Sequence, residues 1–319
     1  MTPILGITGP IYLAIALGYV STRRGWFAKA DMRVFGQFVI KLALPSLLFT
    51  AVAKRDVVDL LNASYLLAYL AGSLVVIGLG LLWGRRSGLP PTDNVVAAMG
   101  MSCSNSGYMG YPILLLTLAP VAGVALALNM MVENLLVIPL LLVLAERSKG
   151  ADGHGLQTLV RILKQLATNP LIIALATGLT VSLLRLKLPE PIWRTIGLFS
   201  GACAGLSLFV VGGTLFSLPL SGMGRQIAPI VLAKLILHPL AVYLAIQLLP
   251  WLGLSPLEPS LQTAAVLFAA MPMMGIYPIF AQSYGKEDLG AAALLAATMV
   301  SFITLSALLW LTQSGPALP

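Results

Sequence analysis

Uncharged apolar stretches of about twenty residues follow one another along almost the whole chain, and the run from Asn62 to Trp83 is typical of them. A segment of that length crosses the hydrocarbon core as a helix, and in lipid only helices and closed barrels satisfy every backbone amide and carbonyl. The chain is therefore held to a bundle of membrane helices. Composition agrees: of 319 residues 58% are apolar and 9% charged, where soluble domains carry about 25% charge. Ten spans would use about 200 residues.

Other classes fail on the same residues. The charge of +8 is scattered in short pairs between apolar runs, so no basic stripe exists to hold nucleic acid. Cys103 and Cys203 sit inside apolar segments and read as small buried hydrophobes. Arg23 and Arg24 follow the first apolar stretch, whereas a signal peptide carries its charges before it, so the first segment stays as a helix. No His-Glu-x-x-His run, Gly-x-Ser-x-Gly elbow or phosphate-binding loop is present. One acid and one histidine in the spans are too few for a metal site. The chain reads as a non-enzyme with no cofactor, driven by a gradient or by downhill flow.

Charges, Gly and Pro cut the chain into ten expected spans, approximately 3–22, 33–53, 62–83, 94–120, 122–145, 168–186, 192–217, 226–249, 260–284 and 288–312. Loops after odd spans hold Arg23, Arg24, Lys29, Arg33, Arg85, Arg86, Arg147, Lys149, Arg161, Lys164, Arg225 and Lys286. Loops after even spans hold only Lys54, Arg55, Arg185, Lys187 and Arg194. Because Lys and Arg resist translocation, the odd loops are expected in the cytoplasm and both termini outside.

An internal repeat divides the sequence. Pro10, Ala14, Ala16 and Gly18 in span 1 recur as Pro170, Ala174, Ala176 and Gly178 in span 6. Met109-Gly-Tyr-Pro-Ile113 in span 4 recurs as Met274-Gly-Ile-Tyr-Pro-Ile279 in span 9. The expected organisation is a first five-helix repeat over 1–145, a cytoplasmic linker over 146–167 and a second repeat over 168–319. Five spans is an odd number, so the second copy is inverted. Inverted repeats with broken helices at the midplane are the architecture of secondary transporters.

Spans 4 and 9 are interrupted at 105–112 and 271–278. Asn105 lies about 16 Å along its span, near mid-membrane, and Met271 and Pro272 reach the same depth from the other side. The two breaks should meet there. Pro112 and Pro278 suit the first turn of a following half-helix, whose positive end would favour an anion. The plainer alternative is a pair of proline kinks that aid packing.

Four ionisable groups fall inside spans: Lys41, Glu133, Lys234 and His238. Lys41 is close enough to the cytoplasmic end to snorkel. Lys234 is near that limit, with His238 one turn further on the same face. His238 precedes Pro239, and its ring could simply bond a carbonyl freed by that proline. Glu133 is too short to reach either surface and must face protein or water. It could bind a coupled proton or cation, pair with Lys234 or Lys41, or sit protonated, with Asn129 and Asn134 beside it.

At this point the residues resemble a family. Gly18-Tyr-Val-Ser-Thr-Arg-Arg24, Leu44-Pro-Ser-Leu-Leu-Phe49, the Asn105/Gly110/Pro112 break, Asn169-Pro170, Gly205 to Gly213 with Thr214-Leu215, and Lys234-Leu-Ile-Leu-His-Pro239 look like the auxin efflux carriers. The resemblance implies an all-α fold of ten transmembrane helices in two inverted five-helix repeats, similar to the bile-acid sodium symporters, with helices 4 and 9 crossing at their breaks. It also implies a small organic anion as substrate, a carboxylate such as malonate or malate in bacterial members, with elevator-type alternating access and a homodimer in the inner membrane.

The expected substrate site comprises Ser104, Asn105, Gly107, Tyr108, Gly110, Pro112, Met271, Pro272, Gly275, Tyr277, Pro278 and Lys234. Glu133, Asn134, His238 and Lys41 are the candidates for coupling to H+ or Na+. A sodium-coupled symporter of the bile-acid type, a channel, and a ligand-sensing receptor on the same fold remain as alternatives.

Overall fold

The computed structural model describes residues 2–55, 62–148, 160, 163–216 and 224–314. The described residues are helical, with no strand beyond one isolated bridge. The elements are α1 (Thr2–Arg23), α2 (Lys29–Ala53), α3 (Ala63–Arg86), α4 (Pro91–Ser102), α5 (106–117), α6 (Ala119–Ser148), α7 (Pro170–Leu183), α8 (Glu190–Phe216), α9 (Gln226–Leu248), α10 (Pro259–Ala270), α11 (Tyr277–Gln282) and α12 (Glu287–Ser314). Helix overlies each of the stretches expected from the sequence. Six of these helices, α2, α3, α6, α8, α9 and α12, are long and apolar enough to cross a membrane unaided. Most of the expected linker, 149–159 and 161–162, lies outside the described residues.

Two compact units form. The first takes 1–62, 106–130 and 168–218, and the second 63–105, 131–167 and 219–319. Each unit thus draws on both halves of the sequence, a division different from that of the repeat.

Small residues let helices touch within each unit. In the first, a side chain on Gly212 would collide with the Ile15 carbonyl, and one on Gly18 with the Phe209 carbonyl, so α1 and α8 lie backbone to backbone. In the second, a Cβ on Gly72 would stand 2.7 Å from Val242 Cα, which fixes α3 against α9.

Proline shapes the helices from inside. Four five-residue π turns occur, at Val39–Ala43, Ser106–Gly110, Glu133–Val137 and Ala233–Leu237. Each ends two residues before a proline: Pro45, Pro112, Pro139 or Pro239. A proline ring lacks the N–H for the i−4 carbonyl and clashes with that carbonyl, and widening the preceding turn relieves the clash. These turns carry Lys41, Glu133 and Lys234, and His238 follows the last directly. The ionisable groups within the spans therefore sit where the regular helix is already disturbed.

Candidate substrate site

The two breaks pair with each other inside the second unit. After α4 stops at Ser102 and after α10 stops at Ala270, the chain runs extended, with Cys103 at φ −91° and ψ 127° and Met271 at φ −63° and ψ 152°. The Asn105 N–H donates to the Pro272 carbonyl at 2.8 Å, and the Met274 N–H to the Cys103 carbonyl at 3.3 Å. Ser104 and Met273 consequently face one another in an antiparallel bridge. In this kind of pair the central residues turn their own N–H and carbonyl away from the partner strand, so those groups need other partners.

A carboxylate supplies one. Glu133 Oε1 accepts the Ser104 N–H at 3.0 Å and the Tyr69 hydroxyl at 3.2 Å, while that hydroxyl lies 3.1 Å from Ser104 Oγ. Glu133 is thus a buried carboxylate with charge-assisted bonds, as a charge inside a membrane protein requires. At the second break the chemistry is opposite in sign. Lys234 Nζ donates to the Ala269 carbonyl at 2.6 Å, one of the last carbonyls of α10, which have no partner within the helix. It also lies 3.0 Å from His238 Nδ1. An anion anchors one break and a cation caps the other.

Lys234, expected to add positive charge at the substrate site, is wholly buried, with 0% of it exposed. Of the two readings left open for His238, a coupling role or a bond to a carbonyl freed by Pro239, the second finds no contact among the described residues. Its Nε2 meets Ser73 Oγ at 3.1 Å and Nδ1 faces Lys234. An ammonium can only donate, so with Lys234 charged Nδ1 accepts and the ring proton sits on Nε2, an assignment made from the hydrogen-bond network. Lys41 is exposed in the first unit, where its chain can snorkel. Asn134 is half-buried beside Glu133.

Asn105 is the informative polar group. It is 4% exposed, its backbone is held by Pro272, and its side-chain amide makes no hydrogen bond to any described residue. Among the described residues the sealed side-chain atoms without a partner are Asn94 Oδ1, Asn129 Oδ1 and Gln262 Nε2; the Asn105 amide is not one of them and keeps access to a bound partner. Ser104, Met271 and Pro272 surround the same pairing and are buried, while Gly275 is exposed.

The aromatic residues expected to shape a pocket are otherwise engaged. The Tyr277 hydroxyl donates to the Val96 carbonyl at 3.1 Å within the second unit, and the Tyr108 hydroxyl to the Gly36 carbonyl at 2.8 Å within the first. After the first break a widened turn, Ser106–Gly110, comes first, and the α-helix that follows opens at Tyr111 with Pro112 in its first turn as expected. Gly107, Tyr108, Gly110 and Pro112 all belong to the first unit, where Gly107 packs on Leu44 and Met130. Pro278 does lie in the first turn of α11 as expected.

Sequence reasoning passed over Tyr65, Tyr69 and Ser73. They recur every fourth residue on one face of α3, and Tyr65 stacks on Tyr69 with ring planes 5° apart. Tyr69 then lies edge-on to His238, with centroids 5.7 Å apart. A polar stripe on an otherwise apolar span was the available signal.

A long helical bundle with a paired, charge-anchored pair of breaks points to transport, and comparison with known proteins agrees. Residues 4–311 match the family described as membrane transport protein. The chain belongs to this family, that of the auxin efflux carriers. A Rhizobium meliloti (strain 1021) protein named "Putative malonate transporter" is 31% identical, over 100% of this chain and 98% of its own length. The "Uncharacterized transporter YfdV" of Escherichia coli (strain K12) is 26% identical over 98% of each. An "Uncharacterized transporter" of Methanothermobacter thermautotrophicus is 25% identical over 92% of this chain and 94% of its own. The protein is a multi-pass membrane transporter, and its family and relatives are transporters in place of enzymes.

Proposed function

We propose that the protein carries a small carboxylate, malonate first among the candidates, across the cell inner membrane. The observation that carries this reading is the antiparallel pairing of the two breaks beside Asn105. Two extended segments at the middle of a membrane bundle leave polar backbone that lipid cannot satisfy, and the regular use of such breaks is to line a substrate cavity. Asn105 then donates to the carboxylate, with Ser104 and the 271–275 backbone beside it. The family supports an organic anion, and the Rhizobium meliloti relative supports malonate.

In this reading ten spans form two inverted five-helix repeats with crossing breaks, both termini lie outside, the protein works as a homodimer, and access alternates by an elevator-type movement. Glu133 is the proton or sodium candidate, because it is the buried acid bonded directly to the break. Lys234 and His238 hold the other break and set the local charge. Labelled malonate uptake into proteoliposomes, with sodium and proton gradients imposed separately, tests the reading. Saturable uptake that falls about 10- to 100-fold in Asn105→Ala is expected, the worth of one hydrogen bond to a charged group. Undiminished uptake by Asn105→Ala removes the proposed site. Specific binding with no flux moves the function to a receptor.

A further inference from the structure

The cations that the charge bias leaves on its minority side do not scatter. Lys54, Arg55 and Arg185 converge in the first unit on one open hollow of about 490 Å³, whose walls also include Val181, Ser182 and Leu186. No acidic side chain is among its described lining. Arg194, nearby in sequence, is held by Glu190 in an exposed ion pair.

Part of this charge has a structural use. The C-terminal ends of α2 and α7 both open here, each contributing about −0.5 of a unit charge, and Arg55 also donates to the Pro120 carbonyl at 2.8 Å. Among the described residues at the hollow, three full cations against two such ends leave a surplus of about +2. The cradle is firm: Ser182 Oγ donates to the Arg55 carbonyl at 2.5 Å, and Lys54 Nζ lies 5.0 Å from the centre of the Trp193 ring.

Arg185 is the strongest indication. It follows the C-cap of α7 at φ 49°, and the Leu186 N–H closes the turn on the Val181 carbonyl. This left-handed position is the one that glycine fills in most helices, and any Cβ there is strained. An arginine stands at this glycine-like position and lines the hollow. The hollow also has apolar flanks at membrane depth, since Leu183, Leu184, Leu186 and Ile192 are exposed beside it. A ligand with an anionic head and apolar tails fits both features.

We propose that this hollow binds the phosphodiester headgroup of an anionic phospholipid, with the acyl chains on the exposed leucines. The hollow shares no residue with the carboxylate site. The test uses the purified full chain in mild detergent, titrated with phosphatidylglycerol or phosphatidylcholine, reading thermal unfolding and retained lipid by native mass spectrometry. Phosphatidylglycerol, and not phosphatidylcholine, is expected to raise Tm. Arg185→Gly should weaken phosphatidylglycerol about five-fold while its lipid-free Tm stays equal or rises, and Lys54→Gln should weaken it by a similar factor. Equal response to the two lipids, or full phosphatidylglycerol affinity in both variants, overturns the proposal. So does an Arg185-dependent stabilisation by malonate or inorganic phosphate alone, which would make the hollow a soluble-anion site.

Discussion

Replacing Glu133 by glutamine and by alanine separates what its charge does from what its shape does. Two groups donate to Glu133 Oε1, the Ser104 N–H and the Tyr69 hydroxyl. Glutamine keeps an acceptor in the same place, but a neutral acceptor is worth about 1 kcal/mol less per bond than a charged one, so Glu133→Gln should cost about 2 kcal/mol. Alanine removes the acceptor. Tyr69 can still turn to Ser104 Oγ at 3.1 Å, yet the Ser104 N–H points away from the paired strand and has no neighbour to replace the carboxylate. Losing both bonds and leaving that amide bare should cost about 3–5 kcal/mol. At about 2 °C per kcal/mol, Tm should fall by about 4 °C for Glu133→Gln and about 6–10 °C for Glu133→Ala. Thermal unfolding of the purified variants in one detergent reads both. In proteoliposomes Glu133→Gln should keep downhill malonate exchange and lose gradient-driven accumulation. A Tm for Glu133→Ala within about 1 °C of wild type, or equal losses in the two variants, would refute the account of the first break.

Other perturbations probe neighbouring parts of the second unit. A Cβ on Gly100 would stand 2.8 Å from Tyr277 Cζ and Oη. Gly100→Ala should therefore displace that ring and cost about 1–3 kcal/mol by thermal unfolding. Lys234→Met removes the cap on Ala269 and the donor to His238, and should destabilise by about 3 kcal/mol or more despite its similar volume, because two buried acceptors lose their partner. Asn105→Ala should leave the unfolding free energy within about 0.5 kcal/mol of wild type even as malonate uptake collapses. Gly72→Ala meets Val242 backbone at 2.7 Å and should cost about 1–3 kcal/mol with loss of compactness in the α3/α9 pair, measurable as faster amide exchange along both helices.

Much of the site was legible because lipid removes the alternatives. A charged or broken stretch in a soluble protein has many innocent explanations. In a span of twenty apolar residues, Glu133, Lys234 and the interruptions expected at 105–112 and 271–278 must each find a partner, and the short list of polar groups narrows the choice. What the residues could not give was the pairing. Glu133 and Lys234 looked like candidates for one ion pair, yet each serves a different break. Lys234 reaches a carbonyl 35 positions away, and Glu133 a backbone amide 29 positions away. Backbone groups carry no sequence signature, so a side chain that binds one cannot be matched to it by residue type.

The sequence alone determined that this chain is a helical membrane protein with two interrupted spans, because only helices satisfy the backbone in lipid and only prolines and glycines interrupt them at that depth. Tertiary structure alone decided that the interruptions lie strand to strand, that the π turns before Pro45, Pro112, Pro139 and Pro239 absorb the proline clashes, and that three minority cations share one hollow. The first and last of these depend on distances between residues far apart in the chain, and periodicity within a span contains no information about them.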